Sequence, residues 1–97
     1  MQTVANTASP IDPAVLQEVR AFIVENFLLG SDTGFAVSDS LLDSGIIDST
    51  GIMHVVAFLE EHYAITVEDD DLVADNLDSL ERIAAFIGRK QALRNAA

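Results

Sequence analysis

The chain has 97 residues, 49% of them hydrophobic and none of them cysteine. That describes one folded domain without disulfides, thiolate metal sites or a cysteine nucleophile, and it fits a reducing cytoplasm. Sixteen acids face five bases, a formal charge of −11, and between Arg20 and Arg82 there is no Lys or Arg while 14 of the acids fall there. Nucleic acid and anionic membrane surfaces need cationic groups, so both are excluded as partners, and basic patches on other proteins remain. No apolar run reaches the roughly 20 residues that span a bilayer, and residues 1–10 lack the pattern of a signal peptide. The expectation is a soluble cytoplasmic monomer, with residues 1–10 a flexible tail, 11–91 the domain and 92–97 a second flexible tail.

Asp12-Pro13 predicts a helix start, with Asp12 as N-cap and Pro13 at the first helical position. Val15, Leu16, Val19, Phe22, Ile23 and Phe27 then recur at helical spacing and form one apolar stripe. Gly30 suits the C-terminal cap. Residues 31–48 make a long connection, and loops of that length in a small domain are usually functional or held by their own anchors. Leu41, Leu42 and Ile46 are the expected anchors.

A second helix is predicted from Ser49. Ile52, Val55, Val56, Leu59 and Tyr63 share its inner face, and Thr50, Met53, Ala57, Glu60 and Glu61 its outer one. Ile65 and Val67 follow as short apolar contacts. Residues 68–71 open a short helical turn, pinned to the core by Leu72 and Val73. The last helix is expected to start near Asp78, with Asp78 and Glu81 in capping-box spacing. Leu80, Ile83, Ala84 and Ile87 form its stripe, and Arg89, Lys90 and Arg94 stand near its C-terminal end, where cations are favoured. The fold class is all-α: a small four-helix bundle of three main helices and one short helix, with a long first loop.

Catalysis by this set of residues is a poor fit. Ser49 lies in no G-x-S-x-G turn. His54, five residues on, is turned away from the serine's side, and His62 is further still. Both histidines read as solvated surface residues. Counted from Asp69 as a calcium loop, the sixth position is Ala74 and the twelfth Leu80, where an EF-hand needs Gly and Glu. No dedicated metal site is expected, only loose divalent binding by the acidic surface.

The Asp48-Ser49 step sits where the long loop meets a helix N-terminus. Taken alone, the step is best explained as a plain helix cap, because Asp and Ser are common cap residues. The same place also suits a phosphorylated serine, since unpaired N–H groups and the positive end of the helix dipole tolerate a phosphodiester.

Gly45-Ile46-Ile47-Asp48-Ser49-Thr50 resembles the phosphopantetheine attachment motif of the acyl and peptidyl carrier proteins, written G-x-D-S-L or G-x-x-D-S-L. The run Val55 to Val67 resembles that family's L-V-x-x-L-E-E-x-F-x-I-x-V segment. The acidic stretch 68–71 and Asn76-Leu77-Asp78-Ser79-Leu80 resemble its third helix and the start of its fourth. The likeness covers residues 12–90. It implies a 4'-phosphopantetheine arm on Ser49, taken from coenzyme A by a phosphopantetheinyl transferase. Asp48 would assist that Mg²⁺-dependent transfer.

The resemblance further implies a recognition helix over residues 49–63. Thr50, Met53 and Ala57 would supply apolar contact there, and Glu60 and Glu61 charge pairs to basic partners. The domain would catalyse nothing. It would hold acyl or aminoacyl groups as thioesters, loaded by an adenylating ligase or an acyltransferase and passed to downstream enzymes. Ile46-Ile47 and residues 76–79 are more similar to free-standing carriers paired with adenylating ligases. Two residues depart from the pattern. Thr50 stands where the family has Leu, which weakens apolar contact with generic fatty-acid enzymes. Gly51 costs a helix about 1 kcal/mol against Ala, and is expected either to let a partner or the arm approach or to sit in a fraying turn. The competing reading is a non-catalytic acidic helical interaction module with no prosthetic group.

Overall fold

The first helix, α1, spans Pro13–Phe27 and begins as its sequence predicts. Asp12 is extended, its Oδ1 accepts the Ala14 N–H at 2.9 Å, and Pro13 fills the first helical position. Val19 and Ile23 are fully buried, with Val15, Leu16, Phe22 and Phe27 packed beside them. The helix closes two residues before Gly30. Leu28 is the C-cap, and Leu29 already takes the left-handed conformation with φ 55°.

The computed structural model describes residues 11–96, with side chains as far as Leu93. The tail expected over residues 1–10 lies outside that range. Three helices follow α1: α2 over Ser49–Tyr63, α3 over Ala74–Leu77 and α4 over Leu80–Ala96. No strand occurs among the described residues. Three helices are long and one is short, which is the all-α architecture the hydrophobic periodicity predicts. None is long and apolar enough to cross a membrane.

Several boundaries differ from expectation, each for a local reason. The acidic run forms only a 3-10 turn over Asp69–Asp71, and the short helix comes after it. Leu72 and Val73 do not pin that turn to the core, because both are exposed. α4 starts at Leu80 rather than Asp78. The hydroxyl of Ser79, itself buried, accepts the Arg82 N–H at 3.2 Å and takes the capping role given to Asp78. At its other end α4 continues through Ala96, over part of the stretch read as a tail.

The core lies where α1 and α4 meet the inner face of α2. Val19 and Ile23 join Val55 and Leu59 of α2, and Leu80, Ile83, Phe86 and Ile87 of α4. Each of these side chains contributes about 1.5–3 kcal/mol by leaving water, against the entropy of ordering the chain. The long loop adds Phe35, Leu41 and Ile47 to the same core. Of the three expected anchors, Leu41 is buried, Ile46 is partly buried and Leu42 faces solvent. Arg20 steadies the start of the loop. Its guanidinium lies 4.3 Å from the Phe35 ring centre, donates to the Phe35 carbonyl and pairs with Asp32 at 3.1 Å. Contacts of an arginine plane with an aromatic face and a carboxylate together suit its fixed geometry.

Candidate functional site

Asp48 and Ser49 stand at the head of α2, but in divided roles. Asp48 is the N-cap, and its Oδ1 accepts the Gly51 N–H at 2.7 Å. Ser49 is the first helical residue and is exposed. The cap is thus the aspartate alone, and the serine hydroxyl is left for other work. The first-turn amides of a helix have no partner within it, and the dipole is positive there, so an oxygen carrying phosphate is tolerated at this position.

Ser49 opens onto an apolar groove of about 190 Å³. α2 contributes Ile52 and Met53 to it, and the long loop contributes Leu42. Leu72, Val73 and Leu77 close the far side, with Asp78 at the rim. Leu42 was expected to anchor the long loop, and Leu72 and Val73 to pin the acidic turn to the core. They are 39%, 37% and 47% exposed and line this groove instead.

On the other side of Asp48 a second hollow is lined by Phe27, Ile46, Thr50, Gly51 and His54. Gly51 is buried there. A Cβ on it would stand 2.8 Å from Ile47 Cγ2 and 2.9 Å from Phe27 Cε1. The close approach expected of Gly51 is therefore made by its own chain, and the turn it occupies is packed rather than frayed.

The outer face of α2 carries Thr50, Met53, Ala57, Glu60 and Glu61, all exposed. Glu60 is also employed internally, since its Oε2 accepts the Val67 N–H at 2.9 Å. Neither histidine lines the groove of Ser49. His54 sets its ring edgewise to Phe27 at 6.5 Å. His62 stacks on Phe58 at 5.0 Å, with Nε2 3.5 Å from Glu18. No nucleophile–base pair of the hydrolase kind is built around Ser49.

Three cations of α4 are engaged by residues 71–76. Lys90 Nζ meets Asp71 Oδ2 at 2.6 Å, both side chains about four-fifths covered. Arg89 donates to Asn76 Oδ1 at 2.7 Å, and Arg82 reaches the Ala74 carbonyl at 3.4 Å. α4 thus spends three of its cations on the segment that closes the groove, and the outer face of α2 keeps its negative charge.

The model of the phosphopantetheine attachment site family matches residues 17–87 of this sequence. The chain belongs to the phosphopantetheine attachment family. It is also 30% identical over 82 residues to a D-alanyl carrier protein of Streptococcus mutans serotype c (strain ATCC 700610 / UA159), across 84% of this chain and 98% of that relative. Members of the family bear 4'-phosphopantetheine covalently on a serine, and they carry acyl or aminoacyl groups rather than transform them. This chain is therefore a carrier and not an enzyme, and its partners are the enzymes that modify, load and unload it. The residues at the head of α2 fit the group: an exposed hydroxyl at a helix N-terminus, a carboxylate beside it and an apolar groove in front.

Proposed function

We propose that Ser49 is the serine that bears the arm and that this domain, residues 11–91, presents a small acyl or aminoacyl thioester to partner enzymes. The observation that carries this is the division of labour at residues 48 and 49. Asp48 satisfies the helix, while Ser49 stays exposed at the mouth of the groove. When attached, the arm supplies the thiol on which cargo is held. Ser49 anchors it by its hydroxyl oxygen, and α2 holds that oxygen in a defined place. Asp48 offers its second carboxylate oxygen to the Mg²⁺ that the transferase brings.

Thr50, Met53 and Ala57 form the apolar centre of the partner surface, widened by Leu42, Leu72 and Val73 around the groove. Glu61 and the unshared oxygen of Glu60 form its charged rim. An apolar centre gives affinity, and a charged rim steers encounter with basic enzymes. The likeness to a D-alanyl carrier protein supports a small aminoacyl cargo and loading by an adenylating ligase. A strong negative charge also favours the monomer, since copies repel one another.

The test is the intact mass of the purified chain before and after incubation with coenzyme A, Mg²⁺ and a broad-specificity phosphopantetheinyl transferase. The expected gain is one phosphopantetheine, absent from Ser49→Ala at unchanged helicity. A folded wild type that gains nothing, or a Ser49→Ala chain that is still modified, would sink the assignment. The modified protein is then offered D-alanine, ATP and an adenylating ligase, and a further gain of one alanyl group identifies the cargo class.

A further inference from the structure

Gly51 has an unusual combination of properties. It lies in the first turn of α2, where side chains commonly point to water, yet it is buried while Asp48, Ser49 and Thr50 are exposed. Its backbone is ordinary helix and not left-handed, so conformational freedom does not explain a glycine there. As a helix former it is about 1 kcal/mol worse than alanine. What the position uses is the missing side chain.

A Cβ at residue 51 would lie 2.8 Å from Ile47 Cγ2, 2.9 Å from Phe27 Cε1 and 3.3 Å from Asp48 Oδ1. The first two separations are shorter than carbon atoms sustain. Ile47 is the neighbour without an easy retreat, while the Phe27 ring is half-buried beside the second hollow. Ile47 is 2% exposed and belongs to the core. The Phe27 ring is set edgewise against Phe22 at 6.2 Å and His54 at 6.5 Å. A packed interior passes such a collision on instead of absorbing it. The backbone free to yield is the first turn of α2, where Ser49 and Thr50 are exposed. That turn includes Ser49, and the Gly51 N–H is the donor that Asp48 caps.

We infer that Gly51 is a positioning residue for Ser49: by lacking a side chain it lets the head of α2 seat on Ile47 and on Phe27 of α1, and so sets where the hydroxyl stands for the enzyme that modifies it. This rests on Ser49 being the modified serine. Two consequences of Gly51→Ala then oppose each other in stability but not in position. Alanine improves the helix and strains the seat, so the melting temperature moves little. The serine is displaced all the same. Misplacement of a reacting group by about 1 Å costs up to about 100-fold in rate.

The experiment compares the wild-type chain with Gly51→Ala. Two quantities are read: kcat and KM for phosphopantetheine transfer from coenzyme A, followed by intact mass, and the Ser49 and Thr50 backbone amide NMR shifts of the unmodified proteins. The expected result is retained helicity, shifted Ser49 and Thr50 amides, and a kcat/KM lowered about tenfold or more. A rescue background removes the two colliding atoms with Ile47→Leu and Phe27→Leu. In that background Gly51→Ala should cost no more than about twofold in kcat/KM, an ordinary error against a tenfold loss.

Wild-type kcat, KM and amide shifts in Gly51→Ala would overturn the inference. A rate loss that the rescue background leaves in place would also overturn it. If Gly51→Ala does not fold, Phe27→Leu alone decides. Loosening one side of the seat should move the Ser49 amide, and an unmoved amide overturns the inference. If the wild type itself gains no mass, the carrier reading has failed rather than this one, and the amide shifts of the unmodified protein still report on the seat.

Discussion

Asp78 accepts the Ser40 hydroxyl at 2.6 Å across 38 residues of chain. Its other carboxylate oxygen accepts the Leu42 N–H, and its backbone carbonyl accepts the Leu41 N–H, both at 2.9 Å. One residue just ahead of α4 therefore fastens the long loop beside the groove. Asp78→Ala is expected to cost about 1–3 kcal/mol, the usual loss when partly buried polar groups are left unpaired. Urea unfolding measures it, and hydrogen exchange at Leu42 should speed up. Unchanged stability with an unchanged Leu42 amide would show that the loop does not depend on this contact.

Lys90 and Asp71 make the other tie near the groove. The hydrogen bond from Lys90, and then the Glu68 amide, hold the Asp71 carboxyl below the usual carboxylate range. A lowered folded-state pKa contributes stability that is complete above the unfolded value, about 3.9, and is lost as pH falls through the folded one. Lys90→Met should therefore be less stable than wild type at neutral pH, with the gap narrowing below about pH 4. A gap of constant size through an acid series would exclude the pair as its source.

Tyr63 behaves in the opposite sense. Burial, then its 2.6 Å hydrogen bond to Glu18 and that carboxylate's charge, push its phenol well above the ordinary range. The neutral form is the one folding favours, so this contribution is complete below the unfolded value of about 10 and is lost as pH rises through the folded one. Ultraviolet titration should find Tyr63 ionising later than free tyrosine, and Glu18→Gln should bring it back down. Ionisation at the ordinary value in the folded wild type would refute the contact.

The net charge of −11 sets a further expectation. Self-repulsion among the acids is screened by salt over a Debye length of about 10 Å at 0.1 M. The melting temperature should rise along a salt series. The covered Lys90–Asp71 pair is screened less than exposed charges are, so it does not reverse the trend. A flat or falling melting temperature would mean that the acids are too far apart to strain the fold.

Much of this was legible in the residues. Asp12-Pro13 marked the start of α1, and the spacing of Ile52, Val55, Val56, Leu59 and Tyr63 marked the inner face of α2. The motif at residues 45–50 led to the head of α2, and the family match spans it. Other features were hidden because they depend on partners distant in sequence. Asp78 has the chemistry of a cap, and only the approach of Ser40 and Leu42 diverts it from that use. Leu72 and Val73 are apolar like core residues, and only the position of Met53 and Leu42 turns them into groove walls.

Hydrophobic period, capping chemistry and charge act over a few residues or over the whole chain, and so they determined an acidic all-α bundle with a serine at a helix start; the carrier role came from the resemblance of residues 45–50 and of the segments after them to a known family. The groove, the internal use of Glu60 and the seat beneath Gly51 involve atoms brought together from separate elements. Those were decided by packing, because the 2.8 Å that would separate a Cβ on residue 51 from Ile47 Cγ2 is set only once α2 has been laid against the loop and α1.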